Sequence, residues 1–132
     1  MKYVLVLISE EGGMEDASPE EMKAVMDRWD EYTKRAVENG AFIAGEALQP
    51  SPTASSVKIK EGAEAIVSDG PFAESKEQLG GFYLLECRDL DEALEYAKRI
   101  PFRDGTVEVR PVMDFSDLGY ESFTPDPVKA TA

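Results

Sequence analysis

Apolar positions change their period several times along this chain, and the changes outline its elements. Residues 2–9 (KYVLVLIS) place Tyr3, Leu5 and Leu7 on one face of a strand and Val4, Val6 and Ile8 on the other. A strand that is apolar on both faces is expected to be buried on both. Glu10 and Glu11 follow at once, without a small-residue cleavage site, which favours a first strand over an export leader. Residues 10–17 (EEGGMEDA) read as a polar loop. Ser18-Pro19-Glu20-Glu21 then opens a helix, with Ser18 as N-cap, Pro19 in the first position and Glu21 as capping-box partner. Met22, Val25, Met26, Trp29, Tyr32, Thr33, Ala36 and Val37 recur at spacings of three and four, and Gly40 suits the left-handed residue that ends the helix.

A second strand is expected over 41–48 (AFIAGEAL), with Gly45 marking a bulge or a close backbone approach. Residues 54–60 and 63–68 predict a hairpin of half-exposed strands turning at Glu61-Gly62. Residues 82–87 (FYLLEC) form another strand apolar on both faces. Asp89 and Glu92 then open a second helix with Leu90, Ala93, Leu94, Ala97 and Ile100 as its stripe, stopped by Pro101. In a last strand, 106–112, Val107 and Val109 share one face while Thr106, Glu108 and Arg110 share the other. The tail carries Phe115, Leu118, Tyr120 and Phe123, so it is expected to pack to about residue 123 and to be flexible beyond.

The order β-α-β-(ββ)-β-α-β, with the middle hairpin removed, is the βαββαβ order of a ferredoxin-like α+β fold. Two helices cover one face of such a sheet, yet the strands at 3–8 and 82–87 are apolar on both. The same face of a second copy is the simplest cover, so a two-fold homodimer with facing sheets is expected.

Composition narrows the partners. The 132 residues suit one domain, taken as 1–112 followed by the tail 113–132. Acids outnumber Lys and Arg 27 to 14, which argues against nucleic-acid binding, and no apolar run is long enough to span a membrane. The single cysteine, Cys87, cannot form an internal disulfide and fits the cytoplasm. With no histidine, any acid–base chemistry falls to Asp, Glu, Lys or Tyr.

The segment Asp69-Gly70-Pro71-Phe72-Ala73-Glu74-Ser75-Lys76-Glu77-Gln78-Leu79-Gly80-Gly81-Phe82 concentrates the candidate chemistry. As plain structure it is a turn, with Phe72 as a core anchor and Gly80-Gly81 easing entry into the next strand. As a binding wall, Gly70, Gly80 and Gly81 let backbone amides approach a ligand, together with Gly45, Pro71 and Phe72. Asp69 or Glu74 is then a candidate base, Lys76 a partner for a developing oxyanion, and Arg110 either an ion-pair partner or an anchor for an acidic ligand. Tyr3 and Tyr83 offer hydroxyls or core packing. Asp69, Glu74 and Glu77 are oxygen donors at a spacing common in acidic chains, and no metal site or cofactor is expected.

The same segment, DGPFAESKEQLGGF, resembles the signature of the YCII-related, or DGPF-domain, proteins. The opening KYVLVLI, IAGEALQP at 43–50 and EVRPV at 108–112 are similar to that family as well, so the resemblance runs over about 1–112. It implies a ferredoxin-like dimeric α/β-barrel. Many such proteins are encoded beside extracytoplasmic-type sigma factors, which implies a regulatory link. The family has no agreed activity. Shorter relatives carry a His and an Asp suspected of catalysis, but this chain has no His, and Ile100 stands before Pro101 where that Asp would fall. The expectation is a small dimeric protein that binds a small organic ligand in a cleft, with proton transfer, isomerisation or elimination as the reaction class if it is an enzyme. The alternative is a non-catalytic interaction module linked to sigma-factor regulation.

Overall fold

The structure, a computed structural model, describes residues 1–120. Phe123 and the end of the tail therefore lie outside the described residues. Strand β1 spans Lys2–Glu10, helix α1 Pro19–Glu38, β2 Phe42–Ala47, β3 Ser55–Lys58, β4 Ile66–Asp69, β5 Glu77–Glu86, α2 Leu90–Lys98 and β6 Thr106–Pro111. One antiparallel sheet has the strand order β2-β5-β1-β6, while β3 and β4 pair only with each other. This is an α+β fold of two helices on a four-stranded sheet, compatible with a ferredoxin-like arrangement.

Both helices start where their caps predict. The Ser18 hydroxyl accepts from the Glu21 amide at 3.1 Å, and the Asp89 carboxylate accepts from the Glu92 amide at 3.0 Å. Glu92 reaches back to the Arg88 amide at 3.1 Å, one residue before the position a capping box would use. At the end of α1, the Gly40 amide bonds the Val37 carbonyl and the Ala41 amide bonds the Ala36 carbonyl. Gly40 sits at φ +73°, which completes a Schellman closure that a Cβ would strain.

The core lies between the helices and the face of the sheet carrying Tyr3, Leu5, Leu7, Tyr83, Leu85 and Cys87, with Ala36, Ala93 and Ile100 set onto it. The helix stripes are narrower than the sequence suggests. Trp29 and Tyr32 pack against the core, but Met22, Met26, Val37, Leu90 and Leu94 are exposed. A small domain whose two helices meet one four-stranded sheet has too little facing surface to cover a wide stripe.

Two other expectations are corrected. The hairpin strands are shorter than predicted, and they are joined by a loop over 59–65 rather than a tight turn at Glu61-Gly62. Strand β5 begins at Glu77 rather than at 82, so half of the Asp69–Phe82 segment is strand. In the tail, Phe115 is half-buried before a short turn of 3-10 helix at Ser116–Leu118, while Met113, Leu118 and Tyr120 are exposed.

Candidate functional site

The strand registers define the sheet face opposite α1 and α2. One cross-strand row is Ala44, Leu84, Val4 and Arg110, and the next is Glu46, Phe82, Val6 and Glu108. Ile8 and Leu79 continue the stripe towards the start of β5. Val4, Val6, Ile8, Phe82 and Leu84 are half-buried and Leu79 is half-exposed, so a band of apolar side chains runs down the sheet centre between charged margins. This is the second apolar face expected from alternation. Val107 and Val109 pack towards the core, which leaves Glu108 and Arg110 on the open face. Arg110 makes no ion pair with any described residue, so the internal pairing considered for it is not formed.

The Asp69–Phe82 segment begins at the last residue of β4, leaves the hairpin through Gly70 at φ +99°, and enters β5 at Glu77. The Gly70 amide bonds the Ala54 carbonyl at 2.7 Å, and the Ser56 hydroxyl donates to the Gly70 carbonyl at 2.7 Å. These bonds fix the exit point. Downstream, the Gln78 side-chain amide donates to the Ala73 and Ser75 carbonyls at 3.1 and 3.2 Å, and the Ser75 hydroxyl donates to the Glu77 carbonyl. Gln78 therefore organises the loop. Sequence reasoning gave it no role, although a half-buried amide next to a turn is a common backbone clasp.

Phe72 is 98% exposed, which overturns the expectation that it anchors the core. Asp69, Glu74 and Lys76 are exposed as well, and Pro71 is half-buried. The glycines divide by role. A Cβ on Gly81 would stand 2.6 Å from the Glu46 carbonyl oxygen, and one on Gly45 would stand 2.9 Å from the Tyr83 ring. Both positions let β2 and β5 close up, and Gly45 makes room for an aromatic ring on the helix side. A Cβ on Gly80 would meet the Leu7 carbonyl oxygen at an ordinary 4.0 Å, and Gly80 is the extra residue of β5 where its pairing with β1 shifts between Leu7 and Ile8. The irregularity of β2 falls between Phe42 and Ala44, before Gly45.

The candidate residues do not meet in one protomer. Arg110 lies level with Val4 on β1, whereas Glu77 lies level with Glu10. Six residues of strand and two strand spacings separate them, roughly 20 Å along the sheet and about 10 Å across it.

The tyrosines of the core resolve towards packing. Tyr83 is buried, its hydroxyl lies 2.6 Å from Thr33 Oγ1, and its ring meets Tyr32 and Phe42 edge-on. Tyr3 is buried with its hydroxyl towards Met1 Sδ. Burial pushes the Cys87 thiol up, with Glu92 acting in the same direction, so Cys87 is an inert core residue rather than a nucleophile. On the helix side, a groove of about 770 Å³ between α1 and α2 is lined by Arg28, Arg35, Arg88 and Arg99 beside Tyr32 and Tyr96. It holds four of the six arginines and escaped sequence reasoning; the seven-residue spacing of Arg28 and Arg35 was its signal. Carboxylates of Glu31, Asp91, Glu92 and Glu95 share its walls, which leaves a mixed, solvated surface. Among the described residues, no group of three or more metal-ligating side chains comes together, and no helix is long and apolar enough to cross a membrane.

The model of the YCII-related domain matches residues 1–116. The chain belongs to the YCII-related family. An uncharacterised protein of Rhizobium meliloti (strain 1021) is 38% identical over 115 residues, covering 85% of this chain and 92% of its own length. The YCII-related match includes both margins of the open sheet face and the whole Asp69–Phe82 segment.

Proposed function

We propose that this YCII-related protein is a homodimer whose facing sheets enclose a cleft for a small organic ligand bearing an acidic group. The observation that carries this reading is the open sheet face: a continuous apolar band ending at Arg110, a cation with no ion pair among the described residues. An apolar floor with one guanidinium at its margin suits a carboxylate- or phosphate-bearing organic molecule, since Arg can grip such a group with two parallel hydrogen bonds. Asp69, Glu74 and Lys76 stand in solvent in the protomer, so the reading is of binding, and proton transfer would require the assembled cleft to bury one of them. Sedimentation at micromolar concentration should give a dimer, and native mass spectrometry of freshly purified protein should show retained small-molecule mass that Arg110→Ala abolishes. A monomer, or retention unaffected by that substitution, overturns the reading.

A second reading, an interaction module connected to sigma-factor regulation, draws support from the exposed apolar side chains of the β3–β4 hairpin and Phe72. Capture of a sigma-factor domain that survives Arg110→Ala but fails with Phe72→Ala would favour it.

A further inference from the structure

The hairpin β3–β4 and the loop after it form an arm that a single chain leaves without a purpose. Ile59 is 82% exposed, Phe72 98%, and Val57, Ile66 and Val67 also face solvent. A lone two-stranded hairpin is marginal in water, and a cluster of exposed β-branched and aromatic side chains on an otherwise highly charged protein marks a contact surface. The register pairs Val57 with Val67 and Ser55 with Asp69, so Val57, Val67 and Asp69 share one face of the arm. The arm is rooted beside the end of β1, where the Ser51 amide donates to the Glu11 carboxylate at 2.7 Å and the Leu48 amide bonds the Gly80 carbonyl at 2.8 Å. That is the end of the open face carrying Ile8 and Leu79, and the far end from Arg110.

We infer that the arm of one protomer closes over the Arg110 end of its partner's sheet, so that each cleft is built from two chains. The inference rests on the dimer reading above. Its support is the separation of complementary groups. Arg110, which makes no ion pair among the described residues, sits level with Val4 at one end of the apolar band, whereas the exposed acids Asp69, the last residue of β4, and Glu74, three residues before Glu77, belong to the segment that enters the sheet level with Glu10 at the other end. An isologous interface makes every contact twice, residue i on j and j on i. Packing two open faces antiparallel about a two-fold axis therefore brings Asp69 and Glu74 of each copy to Arg110 of the other, at both ends at once. The same placement covers Val57 and Val67, extends the apolar band, and sets Phe72 as the outer wall of the partner's cleft. The occupant is a second copy rather than a different protein because one chain carries both halves of the match. The chemistry of the cleft follows: one guanidinium and one or two carboxylates face each other across an apolar floor, so the bound acidic group competes with Asp69 for Arg110.

Cross-linking tests this. One preparation carries Asp69→Cys and a second carries Arg110→Cys; they are mixed, allowed to exchange protomers and treated with a short bismaleimide. The native Cys87 is buried and leaves the background low. A covalent heterodimer should form, at least about tenfold faster than between Asp69→Cys and the outward-facing Asp91→Cys, the contrast expected of a held contact against random collision. Equal rates for both pairs overturn the inference. Sedimentation as a dimer with no Asp69–Arg110 product overturns the composite cleft while leaving the dimer standing, whereas a monomer removes both. Val67→Asp should weaken the dimer by about tenfold or more with an unchanged far-ultraviolet circular dichroism spectrum. An unchanged dissociation constant would also count against the arm.

Discussion

The two sheets of this molecule obey different economies. In the four-stranded sheet each strand is held by neighbours and by helices: Leu5 and Leu85 are completely buried, and the β1–β5 ladder runs from Lys2 opposite Glu86 to Glu10 opposite Glu77. In the two-stranded arm the residue types are equally β-forming, yet Val57, Ile66 and Val67 stand in solvent. The difference lies in what covers the side chains, since intrinsic strand preference is similar in both. The larger sheet is completed within one chain on its helix side. Among the described residues, nothing covers these arm side chains.

Truncating the sheet core should separate the two regions most strongly. Leu85→Ala should cost about 2–5 kcal/mol in denaturant unfolding, because a completely buried leucine leaves a cavity its neighbours fill only in part. Val67→Ala in the arm should fall within about 0.5 kcal/mol for dilute protein. Equal costs would mean that the arm is packed in solution. The next largest effect is expected at Gly81→Ala. The added methyl would meet the Glu46 carbonyl oxygen at 2.6 Å, backbone that cannot swing aside, so β2 must move away from β5 at a cost of about 1–3 kcal/mol. Gly80→Ala, one residue earlier, where the methyl would meet the Leu7 carbonyl oxygen at an ordinary 4.0 Å, should cost less. If the order were reversed, the close approach of β2 and β5 would be refuted.

The sheet and its helices were legible because several local signals agree there. Ser18, Pro19 and Asp89 mark the helix starts, Gly40 marks an end, and the double-sided apolar runs at 2–9 and 82–87 mark the two central strands. The open face was legible too, as Val4 and Val6 opposing Arg110 and Glu108 show. The arm and the site were not. Alternation in 54–68 predicts strands but says nothing of whether a neighbour exists to pair with them. Phe72 illustrates the failure: an aromatic between a turn and a strand is usually an anchor, and its full exposure depends on where the chain goes in three dimensions. Gly45 and Gly81 do mark close approaches, but a glycine does not name what approaches it. Here the close partners are the Tyr83 ring and the Glu46 backbone.

Alkaline pH probes the covered side through Tyr32. Burial raises the Tyr32 phenol well above its ordinary value, with nearby Tyr83 adding to the effect, while its hydroxyl donates to the Tyr96 carbonyl at 3.0 Å. The folded chain therefore keeps this proton where the unfolded chain has lost it. The resulting stability is fully present below about pH 10 and is lost as pH rises from there towards the folded value. Cys87, shifted upwards as well, adds a loss that begins at somewhat lower pH. Tyr32→Phe should flatten the fall in unfolding free energy above about pH 10, at the expense of a hydrogen bond worth about 1 kcal/mol at neutral pH. An unchanged alkaline slope would show that Tyr32 is not the group responsible. Substitutions in the arm should leave that slope alone.

The smallest expected effect is the most informative about the arm. Phe72→Ala removes a whole aromatic ring, yet with Phe72 98% exposed its cost in a dilute monomer should stay within about 0.5 kcal/mol. A cost near that of Leu85→Ala at every concentration would mean that Phe72 packs onto its own chain. If two copies meet as inferred, the cost should instead depend on concentration. It should be absent well below the dimer dissociation constant and grow above it, because a ring buried only in the dimer stabilises the fold only through association. Unfolding midpoints of Phe72→Ala and the unchanged chain, followed across about a hundredfold range of protein concentration, should therefore coincide at the dilute end and separate at the concentrated end.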